Sequence, residues 1–261
     1  MKLVRYGNED AERPGLIDAN GVLRDLSAHI PDIDGRMLND ASLERLRALD
    51  TEALPAVDGS PRFAPIVGNI GKFLCIGLNY SDHAAETGAA IPAHPILFFK
   101  ANSAIVGAND DVIMPRGSTH TDWEVELGVV IGTTTKYVSE QEALSHVAGY
   151  CIVNDVSERH FQTQLTGQWT KGKSCDTFGP TGPFFGDPRR GPRSASVGYV
   201  SRCERKAHAN RQYLHDDFQR GTNHQSSVSA HDIAPGRYHH HRHASRCWHG
   251  DQARSSLPQI R

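Results

Sequence analysis

The feature that most constrains this chain is a change of character close to Phe185-Gly186. Residues 1–186 carry 15 Lys and Arg against 24 Asp and Glu, whereas residues 187–261 carry 13 against 6. The formal net charge of the whole, −2, hides that reversal. Nine of the 15 histidines fall in the second stretch, yet Val, Ile, Leu and Phe together number only eight in its 75 residues. A segment so poor in large apolar side chains cannot bury enough surface to offset the entropy lost on ordering. A packed core is therefore expected before residue 186, and no secondary structure is assigned after it.

The second stretch contains RYHHHRHASRCWHGDQ, from Arg237 to Gln252. Imidazole and thiolate are ligands for zinc or copper, so a metal site is one reading of it. The tail is basic, but its aromatic residues are few and unpatterned, so nucleic acid is not expected as a partner. No apolar run approaches the length of a bilayer span, and MKLVRYGNED lacks the apolar core of a signal peptide. Five cysteines without a C-x-x-C pair fit a reducing compartment. A cytoplasmic protein without a membrane partner is expected.

Residues 1–65 read as a small N-terminal domain. KLVRY alternates as a strand does, and GLIDANGVLRDL reads as a hairpin turning at Asn20-Gly21. Asp40 is placed as the cap of a short helix carrying Leu43, Leu46 and Leu49. SPRFAPIVGNIG reads as a linker. From Lys72 the pattern is that of a β-rich catalytic domain running over 70–185. FLCIGLNY, the short buried PILFFK, VELGVVIG and YCIVNDV read as strands, and SEQEALSHV as a helix with a Ser139–Glu142 capping box.

Four short stretches carry the chemistry. In DWEVELGVVIG, residues two apart on a strand share a face, which puts Glu124 and Glu126 about 7 Å apart on one side. The pair suits a hard divalent cation, or else is the polar side of a half-exposed strand. In CIVNDVSERHFQ, Arg159 and Gln162 follow Asp155 at helical spacing, either around one site or as a capped, solvated helix. In GLNYSDHAAETG, His83 and Glu86 suit a general base oriented by a carboxylate, or a surface pair. In KGKSCDTFGPTGP, Lys171 and Lys173 occupy a Gly-rich loop before a turn, where a lysine stabilises developing negative charge or is simply solvated.

Together with PILFFKANSAIVGANDDV, these stretches resemble the fumarylacetoacetate hydrolase family, in its bacterial branch, over roughly residues 72–185. The resemblance implies an α+β, β-rich fold, a mixed β-roll with a small N-terminal domain, found as a homodimer or higher oligomer. It implies that Glu124, Glu126 and Asp155 hold Mg²⁺ or Mn²⁺. It implies that His83 with Glu86 activates water or takes up a substrate proton, and that Arg159, Gln162 and Lys173 orient the substrate and stabilise its oxyanion. The substrate is a small-molecule oxo or hydroxy acid. Relatives are described as ureidoglycolate lyases, and hydrolysis of a C–C bond in 2,4-diketo acids fits the same residues. A non-enzymatic binding protein with a basic tail is the alternative of another class.

The family's later motifs, D-V-N-G-K-R-M-Q-T-G-N-T and G-D-I-I-T-T-G-T-P-P-G-V-G-M-G, are missing from this chain. They reappear when the tail is read one base out of phase with suitable codons. RYHHHRHASRCWHGDQ then gives DIITTGTPPGVGMGI, and RCERKAHANRQYL gives DVNGKRMQTGNT. Residues 186–261 are therefore read as a frameshifted tail, and the histidines as an out-of-phase glycine loop rather than a metal site. The expectation is a chain that keeps its metal ligands but is unstable and inactive.

Overall fold

A computed structural model describes residues 1–77 and 93–186, together with the backbone of 238–240. Strands β1 (Lys2–Tyr6), β2 (Arg13–Ile17) and β3 (Leu23–Asp25) form an antiparallel meander. Gly21 takes φ +83° in the β2–β3 connection, the conformation that the Asn20-Gly21 turn requires. KLVRY does not alternate, however. Leu3, Val4, Arg5 and Tyr6 are all buried, because β1 lies inside the sheet with covered faces.

Helix α1 (Asp40–Arg47) is capped by Asn39, not Asp40. The Asn39 side chain accepts from the Ser42 amide, and Asp40 lies in the first turn, where a carboxylate suits the helix dipole. Leu43 and Leu46 are buried, and Leu49 packs beside them just past the helix end. SPRFAPIVGNIG is no free linker. Ala64 and Ile66 are buried, and the Ala64 amide donates to Arg5 O at 2.9 Å. Arg62 holds Asp110 through two bonds of 2.7 and 2.6 Å.

The remaining strands among the described residues are β4 (Phe73–Gly77), β5 (Ile96–Lys100), β6 (Ile105–Gly107), β7 (Thr121–Asp122), β8 (Val125–Ile131), β9 (Val147–Asn154), β10 (Ser157–Glu158), β11 (Gly179–Gly186) and β12 (Tyr238–His240). The main sheet runs β3-β2-β1-β11-β9-β8-β12-β4-β5, with β6 added parallel to β11, and β7 pairs separately with β10. PILFFK is not wholly buried, since β5 ends that order and leaves Leu97 and Phe99 about half exposed. FGPTGP does not turn but extends as β11, whose pairing with β9 shifts between Gly182 and Gly186. Such an irregularity is where a sheet tolerates proline.

Helix α2 (Glu140–Ala143) has the expected capping box between Ser139 and Glu142, then tightens into a 3-10 turn over Leu144–His146. The absence of structure expected after Gly186 is corrected at one point. Tyr238–His240 forms β12, parallel to β4 and antiparallel to β8. One apolar cluster joins Leu3 and Leu16 to Phe73, Val130, Val153 and Phe185, so the described core is built from residues before the compositional break.

Candidate active site

The antiparallel ladder of β8 and β9 assembles the acidic centre. Val125 pairs with Asn154 and Glu126 with Val153. Just outside the ladder, the Asp155 amide donates to Glu124 O at 2.8 Å, and the Glu124 amide to Asn154 Oδ1 at 3.2 Å. One oxygen from each of Glu124, Glu126 and Asp155 then lies within 4.8 Å of the others. The three residues are 3%, 2% and 0% exposed. That burial removes the half-exposed strand as an account of the glutamates. It equally removes the solvated helix cap as an account of Asp155.

Burying three carboxylates is costly unless cations accompany them. Lys173 Nζ stands 2.9 Å from Glu124 Oε2 and 2.6 Å from Asp155 Oδ2. Burial pulls its pKa down, but the charges of Asp155 and Glu124 prevail and hold it above the ordinary lysine value. Arg159 Nη2 lies 2.6 Å from Asp122 Oδ2 and also binds Glu124 Oε1. Its Nη1 donates to Gln162 Oε1 at 3.0 Å. Here too burial lowers the pKa, while Glu124 and Asp122 raise it further.

Arg159 and Gln162 reach the site by another route than the spacing suggested. No helix begins at Asp155. The chain makes β10 first, and a π-helical turn covers only His160–Gln164, which puts Gln162 inward and 1% exposed. Lys173 is likewise not in a loop. It ends a helical turn, α3 (Thr170–Lys173), in which Lys171 is exposed and Lys173 is 2% exposed. Trp169 begins that turn, edge-on to Phe98 at 5.5 Å between ring centres. His83 and Glu86 lie outside the described residues.

Two site neighbours escape a reading by motif. Glu158 is fully buried. It accepts from Thr121 Oγ1 at 3.1 Å, from the amides of His120 and His160 at 3.1 and 3.2 Å, and from Ser118 Oγ. Burial alone would raise its pKa, but these donors leave it below the ordinary glutamate value. Lys100, at the end of β5, is 2% exposed, with Nζ 2.6 Å from Asp155 Oδ1. A lysine closing an apolar strand was the only signal available for it.

Three converging carboxylate oxygens suit a hard cation such as Mg²⁺ or Mn²⁺ better than zinc or copper, which favour nitrogen and sulfur. Cys75 and Cys151 are buried thiols, and burial pushes Cys151 up to about 12, away from thiolate ligation.

The family model for the fumarylacetoacetate (FAA) hydrolase C-terminal region matches residues 72–217. A Burkholderia ambifaria protein, named provisionally as a hydrolase, is 60% identical over 185 residues, 71% of this chain and 66% of that relative. The chain thus spans just under two-thirds of the length of such curated relatives. Among solved structures, fumarylacetoacetate hydrolase from Exiguobacterium antarcticum is 30% identical with a TM-score of 0.59, covering 74% of this chain and 69% of that one. A 5-carboxymethyl-2-hydroxymuconate delta-isomerase from Mycobacterium smegmatis is 29% identical with a TM-score of 0.53, covering 74% of this chain and 68% of that one. No helix among the described residues is long and apolar enough to cross a membrane. The strand-rich fold expected from the sequence matches that of these enzymes, and with over half of its length covered by the family model the chain belongs to the fumarylacetoacetate hydrolase family.

Proposed function

We propose that this chain derives from a Mg²⁺- or Mn²⁺-dependent enzyme that cleaves a small oxo or hydroxy acid. The observation that carries the reading is the trio Glu124, Glu126 and Asp155, buried together and flanked by Lys173 and Arg159. A bound divalent ion supplies Lewis acidity towards a substrate oxygen. Arg159 gives its Nε and Nη2 protons to Asp122 and Glu124 and one Nη1 proton to Gln162, so its remaining Nη1 proton and its positive charge are what it offers a substrate carboxylate. Lys173 offers a fixed positive charge where an oxyanion develops. His83 with Glu86, carried over from the family, would move the proton.

C–C hydrolysis of a 2,4-diketo acid is supported by the hydrolase names of the Burkholderia ambifaria relative and the Exiguobacterium antarcticum neighbour. Ureidoglycolate cleavage to glyoxylate and urea is the second fine reading. There the base would take the substrate's hydroxyl proton instead of a proton of water, beside the same cation cluster. We place the enzyme in the cytoplasm as a homodimer.

A further part of the proposal is that residues after Gly186 are translated out of phase. Histidine codons are CAC or CAT and tyrosine codons TAC or TAT. Read from the second base, each step from Tyr238 to Arg242 can therefore encode only Ile or Thr. Four consecutive β-branched residues favour a strand, and the structure has β12 at Tyr238–His240. The test is to sequence codons 180–195 from fresh genomic DNA. Acylpyruvate and ureidoglycolate turnover is then assayed, with Mg²⁺ or with chelator, on this chain and on the frame-restored one. Mg²⁺-dependent turnover confined to the restored chain is expected. Turnover by the 261-residue chain would sink the expectation that it is inactive. Inactivity of the restored chain on both substrates would sink the enzyme reading.

A further inference from the structure

Lys100 is buried in a way that an ordinary core lysine is not. An ammonium has three protons, and all three are taken by main-chain oxygens: Val156 O at 2.9 Å, Lys173 O at 2.6 Å and Phe178 O at 2.8 Å. Its charge also lies 2.6 Å from Asp155 Oδ1, and its side chain is 0% exposed. These partners belong to three separate stretches that meet at the site. Asp155-Val156 leaves β9, Lys173 ends α3, and Phe178 leads into β11. Asp155 is thereby gripped from both sides, with Oδ1 on Lys100 and Oδ2 on Lys173.

We propose that Lys100 is a positioning residue that sets where Asp155 and Lys173 stand relative to the glutamates. Its action runs through Asp155 and through the backbone of Lys173. The proposal rests on the metal-binding reading of the carboxylate trio. It differs in sign from the simplest electrostatic expectation, because a mere nearby positive charge repels a divalent ion and its removal would tighten binding. Loss of a positioning partner does the reverse, typically weakening metal affinity about 10- to 100-fold.

The test is Mn²⁺ titration, followed by water-proton relaxation, of the full chain and of Lys100→Met, with Lys72→Met as a surface control. Folding is checked by circular dichroism at the same temperature. The expected result is Mn²⁺ binding by the parent and the control, and binding at least about 10-fold weaker in folded Lys100→Met. If that variant does not fold, Lys100→Gln, which keeps two donors without the charge, is measured instead and the same weakening is expected. Equal or tighter binding in a folded Lys100 variant overturns the proposal while leaving the metal reading intact. No Mn²⁺ binding by the parent overturns both.

Discussion

Lys173 Nζ and Asp155 Oδ2 form a 2.6 Å ion pair between side chains that are 2% and 0% exposed. Removing one partner of such a pair leaves the other charge buried, which costs about 3–5 kcal/mol. Lys173→Met is therefore expected to unfold at much lower urea than the parent in chelator. Mn²⁺ should restore more stability to the variant than to the parent, since the ion replaces a missing cation. Equal midpoints in chelator would show that the pair contributes nothing.

Gly77 faces Trp169. A Cβ added there would lie 2.4 Å from Trp169 Cζ3 and 3.0 Å from its Cη2. Gly77→Ala must push the indole, and with it α3, away from β4. The expected cost is about 1–3 kcal/mol of stability, together with weaker Mn²⁺ binding because Lys173 moves. Thermal melts and the same titration check both parts.

Arg62 binds Asp110 through two short bonds and also donates to Gly7 O at 3.2 Å. The contact joins the chain near β1 to the loop after β6. Arg62→Ala is expected to lose about 1–2 kcal/mol, discounted for partial exposure. Its effect on Mn²⁺ affinity should be nil. A large change in affinity would mean that the clamp reaches the site.

Glu158 is held below its ordinary pKa by the hydroxyls and amides around it, despite burial. A carboxylate depressed in the folded state stabilises the protein above its unfolded pKa, and that contribution disappears as pH falls through the folded value. Stability should therefore drop on acidification below the ordinary glutamate range. Glu158→Gln should be less stable at neutral pH and show a shallower decline. Parallel pH curves for the two proteins would refute this assignment.

The sequence made the acidic centre legible because two simple regularities locate it. Alternation on a strand sets Glu124 beside Glu126, and an apolar run ending at Asn154-Asp155 places the third carboxylate. Ser139 and Glu142 were legible for the same local reason. What escaped depends on partners distant in the chain. Lys100 gains meaning only from three carbonyls 56 to 78 residues away, and Glu158 from donors at 118–121. The supposed linker packs because Arg5 and Tyr6 offer it backbone partners, which its prolines and glycines could not announce. Lys173 read as a loop residue because a helical turn of four residues has no periodicity to detect.

The pairing of β1 with β11, Leu3 opposite Phe185, has a consequence for the chain during its synthesis. Those strands are about 180 residues apart, so β1 leaves the ribosome on the order of ten to forty seconds before its partner exists. Throughout that interval the β1–β2 meander carries an open edge and uncovered apolar side chains, a natural target for chaperones that shelter nascent chains.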